Sequence, residues 1–244
     1  MPNNTNNNLT ITGPTSDVLS FVVAVNHSDN PAPADDSVNL YLGDGNFDFN
    51  AIVPMPKELV GTNSPSYIQT QQELDDIWTD FNSRKVGGQL TDWEKNTDKP
   101  FGIGITKEYS DYLIAKFGAD NWYSWAHANW GTKWGAYDTG DWEIVKGNDN
   151  MHTTATINYD TAWCPANAFF EKASKLFPTL TFETEYAEEG DGLVGSYSVE
   201  NGEIIDDCEY DWDSDEGIAI RTRLGCEPYE DDDDENLEIQ LHDA

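Results

Sequence analysis

Asn121-Trp-Tyr-Ser-Trp-Ala-His-Ala-Asn-Trp-Gly-Thr-Lys-Trp134 opens the stretch that decides the fold of this chain. Four tryptophans, at positions 122, 125, 130 and 134, fall within it. Side chains this large and apolar are usually buried in globular proteins. The stretch continues to Gly195 through a helix-like segment (167–177) and two alternating segments (180–186 and 193–199). We therefore expect the packing centre of the protein between Asn121 and Gly195.

The order of elements around this stretch predicts the fold class. Upstream lie a short strand at 9–12 and a helix that begins near Thr15 or Ser16, with either side chain as its cap. Between that helix and the tryptophans, alternation predicts strands within 38–53, and helical spacing predicts helices at 71–81, 106–117 and 120–129. Further strands are predicted at 132–137, 142–145 and 153–160. Strands and helices in this order favour an α+β fold, with an antiparallel sheet and helices on one face.

Several pieces of the chain, in the same order along it, resemble the Api92-like (YubB-like) family of phage- and plasmid-encoded proteins. They are Asn8–Gly13, Phe47–Pro56, Trp130–Trp134, Thr161–Pro165, Phe177–Phe182 and Tyr186–Gly195. The resemblance implies a ferredoxin-like topology without an iron–sulfur cluster, and residence on mobile elements. It carries no catalytic residue and no cofactor to this chain. The chain departs from the family pattern at Gly135 and in its long acidic C-terminal extension.

The domain organisation that we predict from these features has two parts. Residues 1–200 form a ferredoxin-like α+β domain, into which 57–129 are inserted as a helical segment. Residues 201–244 form an acidic C-terminal extension.

The charge of the chain is extreme, with 46 acidic and 13 basic residues and a net charge of −33. A field of this sign repels a polyanion, which disfavours direct binding of nucleic acid. No apolar run approaches the length of a membrane span, and no signal peptide is visible. Cys164, Cys208 and Cys226 are odd in number and widely spaced, which fits the reducing cytoplasm of a host cell; a Cys208–Cys226 disulfide stays an alternative.

The sequence contains no complete motif for catalysis or for metal binding. The run that begins at Asp211 has Glu216 and Thr222 where a calcium loop needs Gly and Glu, and the four histidines lack metal-pair spacing. We therefore assign no catalytic residue, no metal and no cofactor, and expect a binding protein rather than an enzyme. A small-ligand binder or enzyme that uses His127, Trp130 and Trp134 is the alternative, although aromatic clusters of this kind are more often core.

Half of the acid lies in the last quarter of the chain. Residues 183–244 hold 23 acidic side chains against Arg221 and Arg223, whereas the other 182 positions hold 23 acidic and 11 basic ones. Adaptation to a halophilic cell would spread acid evenly, so this asymmetry points to a dedicated partner. A halophile-adapted domain without a partner, and an acidic edge that only deters aggregation, remain alternatives.

The alternation of Glu209, Asp211, Asp213 and Asp215 predicts carboxylates on one face of a strand, about 6.6–7 Å apart. This spacing is comparable to that of successive phosphates along a nucleic-acid strand. The predicted function is therefore a mobile-element anti-defence inhibitor, of anti-CRISPR or anti-restriction type, that mimics DNA. Its partner would be a basic nucleic-acid-binding protein of the host, such as a defence nuclease. The predicted partner-binding residues are Asp206, Asp207, Glu209, Asp211, Asp213, Asp215, Glu216, Asp231, Asp232, Asp233 and Asp234.

Overall fold

The computed structural model describes residues 3–26, 47–147 and 151–226. The strands are β1 (Asn4–Pro14), β2 (Glu143–Lys146), β3 (His152–Ala162), β4 (Thr181–Glu188), β5 (Leu193–Glu200) and β6 (Glu203–Glu209). The helices are α1 (Thr15–Val25), α2 (Gln71–Val86), α3 (Asp92–Thr97), α4 (Lys107–Phe117), α5 (Trp122–Trp130), α6 (Asn167–Leu176) and α7 (Asp215–Leu224), with a 3-10 turn at Phe49–Ala51.

The six strands form one antiparallel sheet in the order β2-β3-β1-β4-β5-β6. The first four strands, joined as β1-α1-β2-β3-α6-β4, give the two interleaved βαβ units of the ferredoxin-like topology. This confirms the predicted fold class. Strands β5 and β6 extend the same sheet beyond β4, so that β2 and β6 are its two edges.

The main core lies between one face of the sheet and the helices α1 and α6. Strand β1 alternates along its length, with Leu9 and Ile11 fully buried on this face. Across from them, Phe21 on α1 packs edge-to-face against Phe182 on β4, with ring centroids 5.1 Å apart. Trp130, at the end of α5, is also fully buried. The tryptophan-rich stretch therefore contributes to the packing centre, as the sequence predicts.

The helical insertion predicted within 57–129 contains α2 to α5. Helix α2 begins with a capping box, in which the Thr70 side chain accepts from the backbone N–H of Glu73 and the Glu73 side chain accepts from that of Thr70. The helix runs to Val86, five residues beyond the predicted end at 81. Helix α4 ends at Gly118, where a φ of 80° requires a residue that tolerates the left-handed region. Arg84 on α2 and Glu94 on α3 form a two-pronged ion pair, at 2.9 and 2.7 Å.

Three local predictions are wrong. At 47–53 there is a 3-10 turn instead of a strand, because the Asp48 side chain accepts from the backbone N–H of Asn50 at 2.8 Å. At 132–137 only Tyr137 pairs, through a bridge to Asp160. Helix α1 has no side-chain cap, because Thr15 Oγ1 is hydrogen-bonded to Thr153 Oγ1 at 2.9 Å. The rest of the predicted 38–53 strands lies outside the described residues.

Helix α7 packs on the opposite face of the sheet from α1 and α6. Its Ile220 is buried in a small cluster with Ala187 and Val194, which point away from the main core. Arg223 of the same helix bonds both carboxylate oxygens of Glu185, at 2.9 and 2.6 Å. The start of the predicted C-terminal extension thus adds an edge strand, β6, and a helix on the outer face. Among the described helices, none has both the length and the apolar character needed to cross a membrane.

Candidate interaction surface

The predicted partner-binding residues fall into a described and an undescribed group. Asp231, Asp232, Asp233 and Asp234 lie outside the described residues. The other seven lie on β6, on the turn after it and at the start of α7, and all seven are exposed: Asp206, Asp207, Glu209, Asp211, Asp213, Asp215 and Glu216. We call this run of chain, from Glu203 to Glu216, the acidic edge.

The charge of the acidic edge is almost uncompensated within the described part of the protein. Of its acidic side chains, Asp213 alone meets a described cation, at 3.7 Å from Nη2 of Arg221, and Asp213 is 93% exposed. The other described ion pairs are made elsewhere, chiefly within the helical insertion. The eight carboxylates of the acidic edge, Glu203 included, therefore present their charge to solvent.

The predicted single strand through Glu209, Asp211, Asp213 and Asp215 is wrong. Strand β6 ends at Glu209, the chain turns between Asp211 and Ser214, and Asp215 is the first residue of α7. The cause is local. Ser214 Oγ accepts from the backbone N–H of Gly217 at 3.0 Å, which is the hydrogen bond of a helix N-cap. Asp215 and Glu216 in the first helical turn are favoured there by the helix dipole.

The two aromatic residues of the acidic edge face the protein. Tyr210 and Trp212 pack against the small cluster under α7. The guanidinium of Arg221 lies over the Trp212 ring, 4.5 Å from its centroid, in a cation–π contact. Arg221 is only 3% exposed, and within the described residues its Nε and Nη1 have no hydrogen-bond partner. These contacts fix the turn from which Asp211 and Asp213 project.

Sequence reasoning missed acidic residues that the sheet brings beside the acidic edge. Register places Glu183 of β4, Ser198 of β5 and Asp206 of β6 in one row across the outer face, and Glu200 directly opposite Glu203. Glu183 and Glu200 are both exposed. The acid thus spreads over three strands. Strand alternation alone indicates which residues share a face, but only the pairing of β4, β5 and β6 shows that they are neighbours.

A polar cleft of about 340 Å³ lies where α7 meets the outer face of the sheet. It is lined by Asn6, Asn7, Asp138, Asn158, Tyr159, Asp160, Arg223 and Leu224. Burial, and secondarily the charge of Asp138, raise the pKa of Asp160 to about 6, while a hydrogen bond from Asn4 Nδ2 at 3.2 Å acts in the opposite direction. Asp160 therefore holds its proton to a higher pH than an ordinary aspartate does.

The three residues of the alternative site differ in burial, because Trp130 packs in the core whereas His127 and Trp134 are partly exposed. Trp130 is fully buried, contacts the rings of Phe49 and Trp125, and donates from Nε1 to the carbonyl of Val53 at 2.9 Å. Trp134 instead packs against Tyr137 and carries Lys133 Nζ over its ring. Burial, followed by the charge of Lys133, lowers the pKa of His127. A packed tryptophan offers no stacking face to a ligand, which argues against this alternative.

The three cysteines are free thiols in this structure. Cys226 Sγ donates to Asn6 Oδ1 at 3.3 Å, and Cys208 Sγ to Asp206 Oδ1 at 3.4 Å, so these two side chains have separate partners. Within residues 3–26, 47–147 and 151–226, no three His, Cys, Asp or Glu side chains come together in a way that suits a metal ion.

These features define the class of the protein: an α+β protein with a ferredoxin-like antiparallel sheet, extended by an acidic edge strand and an outer helix. Residues 124–238 match the family model described as "Ferredoxin-like domain in Api92-like protein". Residues 124–238 thus carry this domain, and over this part the chain is similar to the Api92-like family, as the sequence resemblance implies. The match begins within α5, so β1 and α1 lie outside it.

Comparison with solved structures lists the crystal structure of a protein api92 from Yersinia pseudotuberculosis. The two chains are 12% identical, with a TM-score of 0.40, and the aligned part covers 86% of this chain and 98% of the other. The search of curated proteins finds no match.

Proposed function

We propose that this protein is an acidic interaction protein of a mobile element, which binds a basic nucleic-acid-binding protein of the host and blocks its nucleic-acid site. A phage or plasmid gains from such a protein if the partner is a defence nuclease or complex, of CRISPR or restriction type. The protein then acts by occupancy, not by catalysis.

The observation that carries this proposal is the exposure and lack of compensation of the acidic edge. Eight carboxylates, Glu203 among them, lie exposed on the acidic edge, and one described cation approaches them. Keeping like charges together costs electrostatic free energy in the free protein, and a basic partner would remove that cost on binding. A surface that served solubility alone would not need this concentration.

The fold also supports mimicry of a phosphate backbone over a short length. Asp207 and Glu209 alternate on β6, so they lie on one face of the strand, about 6.6–7 Å apart. Beyond Glu209 the turn and α7 replace the predicted strand, so the phosphate-like spacing does not continue through Asp211, Asp213 and Asp215 in a straight line. Mimicry therefore depends on how the negative charge is distributed over the acidic edge and the neighbouring Glu183 and Glu200.

The first experiment measures binding to basic host proteins and competition by DNA. Immobilised protein is exposed to host lysate at 50 and 300 mM salt, and captured proteins are challenged with a DNA duplex. We expect capture of a nucleic-acid-binding protein that salt weakens and DNA reverses. The neutralised variant Asp206→Asn/Asp207→Asn/Glu209→Gln should bind at least ten times more weakly.

A matched control carries the same change in charge elsewhere. Asp75→Asn/Asp76→Asn/Glu108→Gln alters three exposed acids of the helical insertion and should bind within twofold of the wild type. Equal losses in the two triple variants would mean that net charge, not the acidic edge, causes binding. Capture that DNA fails to reverse would refute occupancy of a nucleic-acid site.

The anti-defence role has its own test. The wild-type gene, supplied on a plasmid to cells with an active restriction or CRISPR system, should raise the plating efficiency of a targeted phage by at least tenfold over the neutralised variant. An equal efficiency with both genes, across hosts that contain the captured partner, would contradict this role.

A further inference from the structure

We propose that the partner contributes an extended basic segment that adds to the free edge of β6 as a seventh strand of the sheet. The inference rests on the proposed function, because it specifies how the basic partner docks. Strand addition uses main-chain hydrogen bonds for affinity and side chains for specificity. It would convert attraction between charges into a defined complex.

Within the described residues, nothing pairs with the outer edge of β6. Strand β6 is the last in the sheet order of this part of the chain, and β5 is its one described partner. Of the described elements, only β5 packs extensively against it. Natural proteins usually protect such an edge, with a helix or with charge. Here α7 covers the adjoining outer face but, in the described residues, not the edge itself.

The geometry of the ladder identifies which peptide groups face outward. Tyr210 donates its backbone N–H to Val194 O at 2.9 Å, so this pair is hydrogen-bonded. Hydrogen-bonded and non-hydrogen-bonded pairs alternate along an antiparallel ladder. The backbone groups of Asp207 and Glu209 therefore point away from β5, and an added strand would meet the N–H and C=O of both residues.

The side chains along this edge specify a basic segment with apolar positions. Asp207 and Glu209 lie on the face of β6 shared with Tyr197, while Asp206 and Glu203 lie on the opposite face. Lys or Arg on either face of an incoming strand would thus meet a carboxylate at cross-strand distance. Ile204 and Ile205 are 51% and 56% exposed, and they offer apolar contacts at the start of the strand.

Two other occupants fit less well. A second copy of this chain would bring an identical acidic strand against β6, and like charges directly opposite each other destabilise a strand pair. The other sheet edge, β2, has four residues and carries Glu143 and Lys146, so it selects no sign of charge. Length and charge complementarity both favour a basic strand at β6.

The test uses two synthetic peptides of equal charge and length, one alternating Lys with Val and the other alternating Lys with Pro. The Lys-Pro peptide lacks half of its backbone donors and cannot form a regular strand. We expect the full-length protein to bind the Lys-Val peptide at least ten times more tightly. Amide exchange at Asp207 and Glu209 should slow by a similar factor in that complex, with little change at Ile144 and Val145 on β2.

Variants separate backbone pairing from charge. Asp207→Pro removes an outward N–H and a charge, and should reduce binding of the Lys-Val peptide to that of the Lys-Pro peptide. Asp207→Asn removes only the charge, and should weaken both peptides equally. The exchange measurement on the wild type needs no variant, so it decides the question even if Asp207→Pro does not fold.

The outcomes distinguish this inference from the proposed function. If the two peptides bind equally and lose affinity with salt in the same way, the acidic edge acts through charge alone and strand addition is refuted, while the proposed function stands. If neither peptide binds at low salt and the lysate capture also fails, both are refuted. Protection of β2 amides in place of those of β6 would overturn the assignment of the edge.

Discussion

Among the acidic residues whose pKa is shifted, Asp160 has the most unusual environment. Most of these carboxylates are ion-paired or hydrogen-bonded, and their pKa values are lowered, as at Asp17 and Glu58. Asp160 instead lies half-buried in the polar cleft beside Asp138, and its pKa is raised to about 6. The cleft also contains Arg223, but that guanidinium is held by Glu185 and does not neutralise the pair.

A raised carboxyl pKa has a defined effect on stability. The folded protein binds the Asp160 proton up to about pH 6, whereas the ordinary pKa of an aspartate is 3.8. Between these values the folded state holds more protons, so stability from this group falls as the pH rises through the window and stays low above it. Asp160→Asn should therefore stabilise the protein at pH 7.5, by about 1 kcal/mol after allowance for solvent screening, and much less at pH 4.

Urea unfolding at the two pH values measures this effect, and carboxyl NMR of the wild type gives the pKa directly. Asp138→Asn is the matched control: it removes the neighbouring charge, and should lower the pKa of Asp160 without abolishing its titration. An Asp160 pKa near 4 in the wild type would contradict the burial that we describe.

At the scale of elements, local signals in the sequence identify some helix ends well, although α2 runs five residues beyond its predicted end. Gly118 after α4 and the boundaries of α6 are predicted to within a residue or two, because caps and stops depend on neighbours in sequence. The ferredoxin-like order of strands is reached through the family resemblance, since pairing of β1 with β3 and β4 joins residues that are at least 138 positions apart (152 − 14 = 138 for Pro14 and His152).

The wrong prediction of one strand from Glu209 to Asp215 has a local cause. Alternation of acids from Glu209 to Asp215 satisfies a strand pattern, but Ser214, followed three residues later by Gly217, forms a cap that ends the extended chain. The alternating acids favour a strand, whereas the Ser214 cap favours the start of a helix. The hydrogen bond from Gly217 N–H to Ser214 Oγ makes the helix the favoured structure. The acids of β4 and β5 were missed because their proximity to β6 depends on tertiary pairing, which a linear pattern does not contain.

Helix α7 depends on this cap at Ser214. Ser214→Ala should lower the local stability of α7 by about 1 kcal/mol, because a helix N–H loses its partner. Amide exchange across 215–224 should then be about fivefold faster, with the central strand β1 unchanged. Thr222→Ala, at an exposed position of the same helix, is the control and should not accelerate exchange, because alanine has the higher helix propensity. An equal acceleration in β1 would show that α7 and the sheet open as one unit.

At the scale of the molecule, two electrostatic effects oppose each other. Surface ion pairs such as Lys95–Asp92 and Lys107–Asp111 stabilise the fold slightly and are weakened by salt. Repulsion among the remaining carboxylates destabilises it and is also screened by salt. With 46 acidic and 13 basic residues, most acids cannot be paired. Repulsion should therefore dominate the response of the whole protein to ionic strength.

We accordingly expect salt to stabilise the protein. Raising NaCl from 20 to 500 mM shortens the screening length from roughly 20 Å to about 4 Å, and the melting temperature should rise by several degrees. The neutralised variant Asp206→Asn/Asp207→Asn/Glu209→Gln should melt higher than the wild type at 20 mM and gain less from added salt. The control variant Asp75→Asn/Asp76→Asn/Glu108→Gln should raise the melting temperature at 20 mM NaCl by less than the neutralised variant does. The reason is that Asp75 and Asp76 each already accept a hydrogen bond, from Gln71 and Gln72. A melting temperature that does not change with salt would mean that repulsion among the carboxylates is already relieved within the free protein. The acidic edge would then have less electrostatic free energy to release on binding a basic partner.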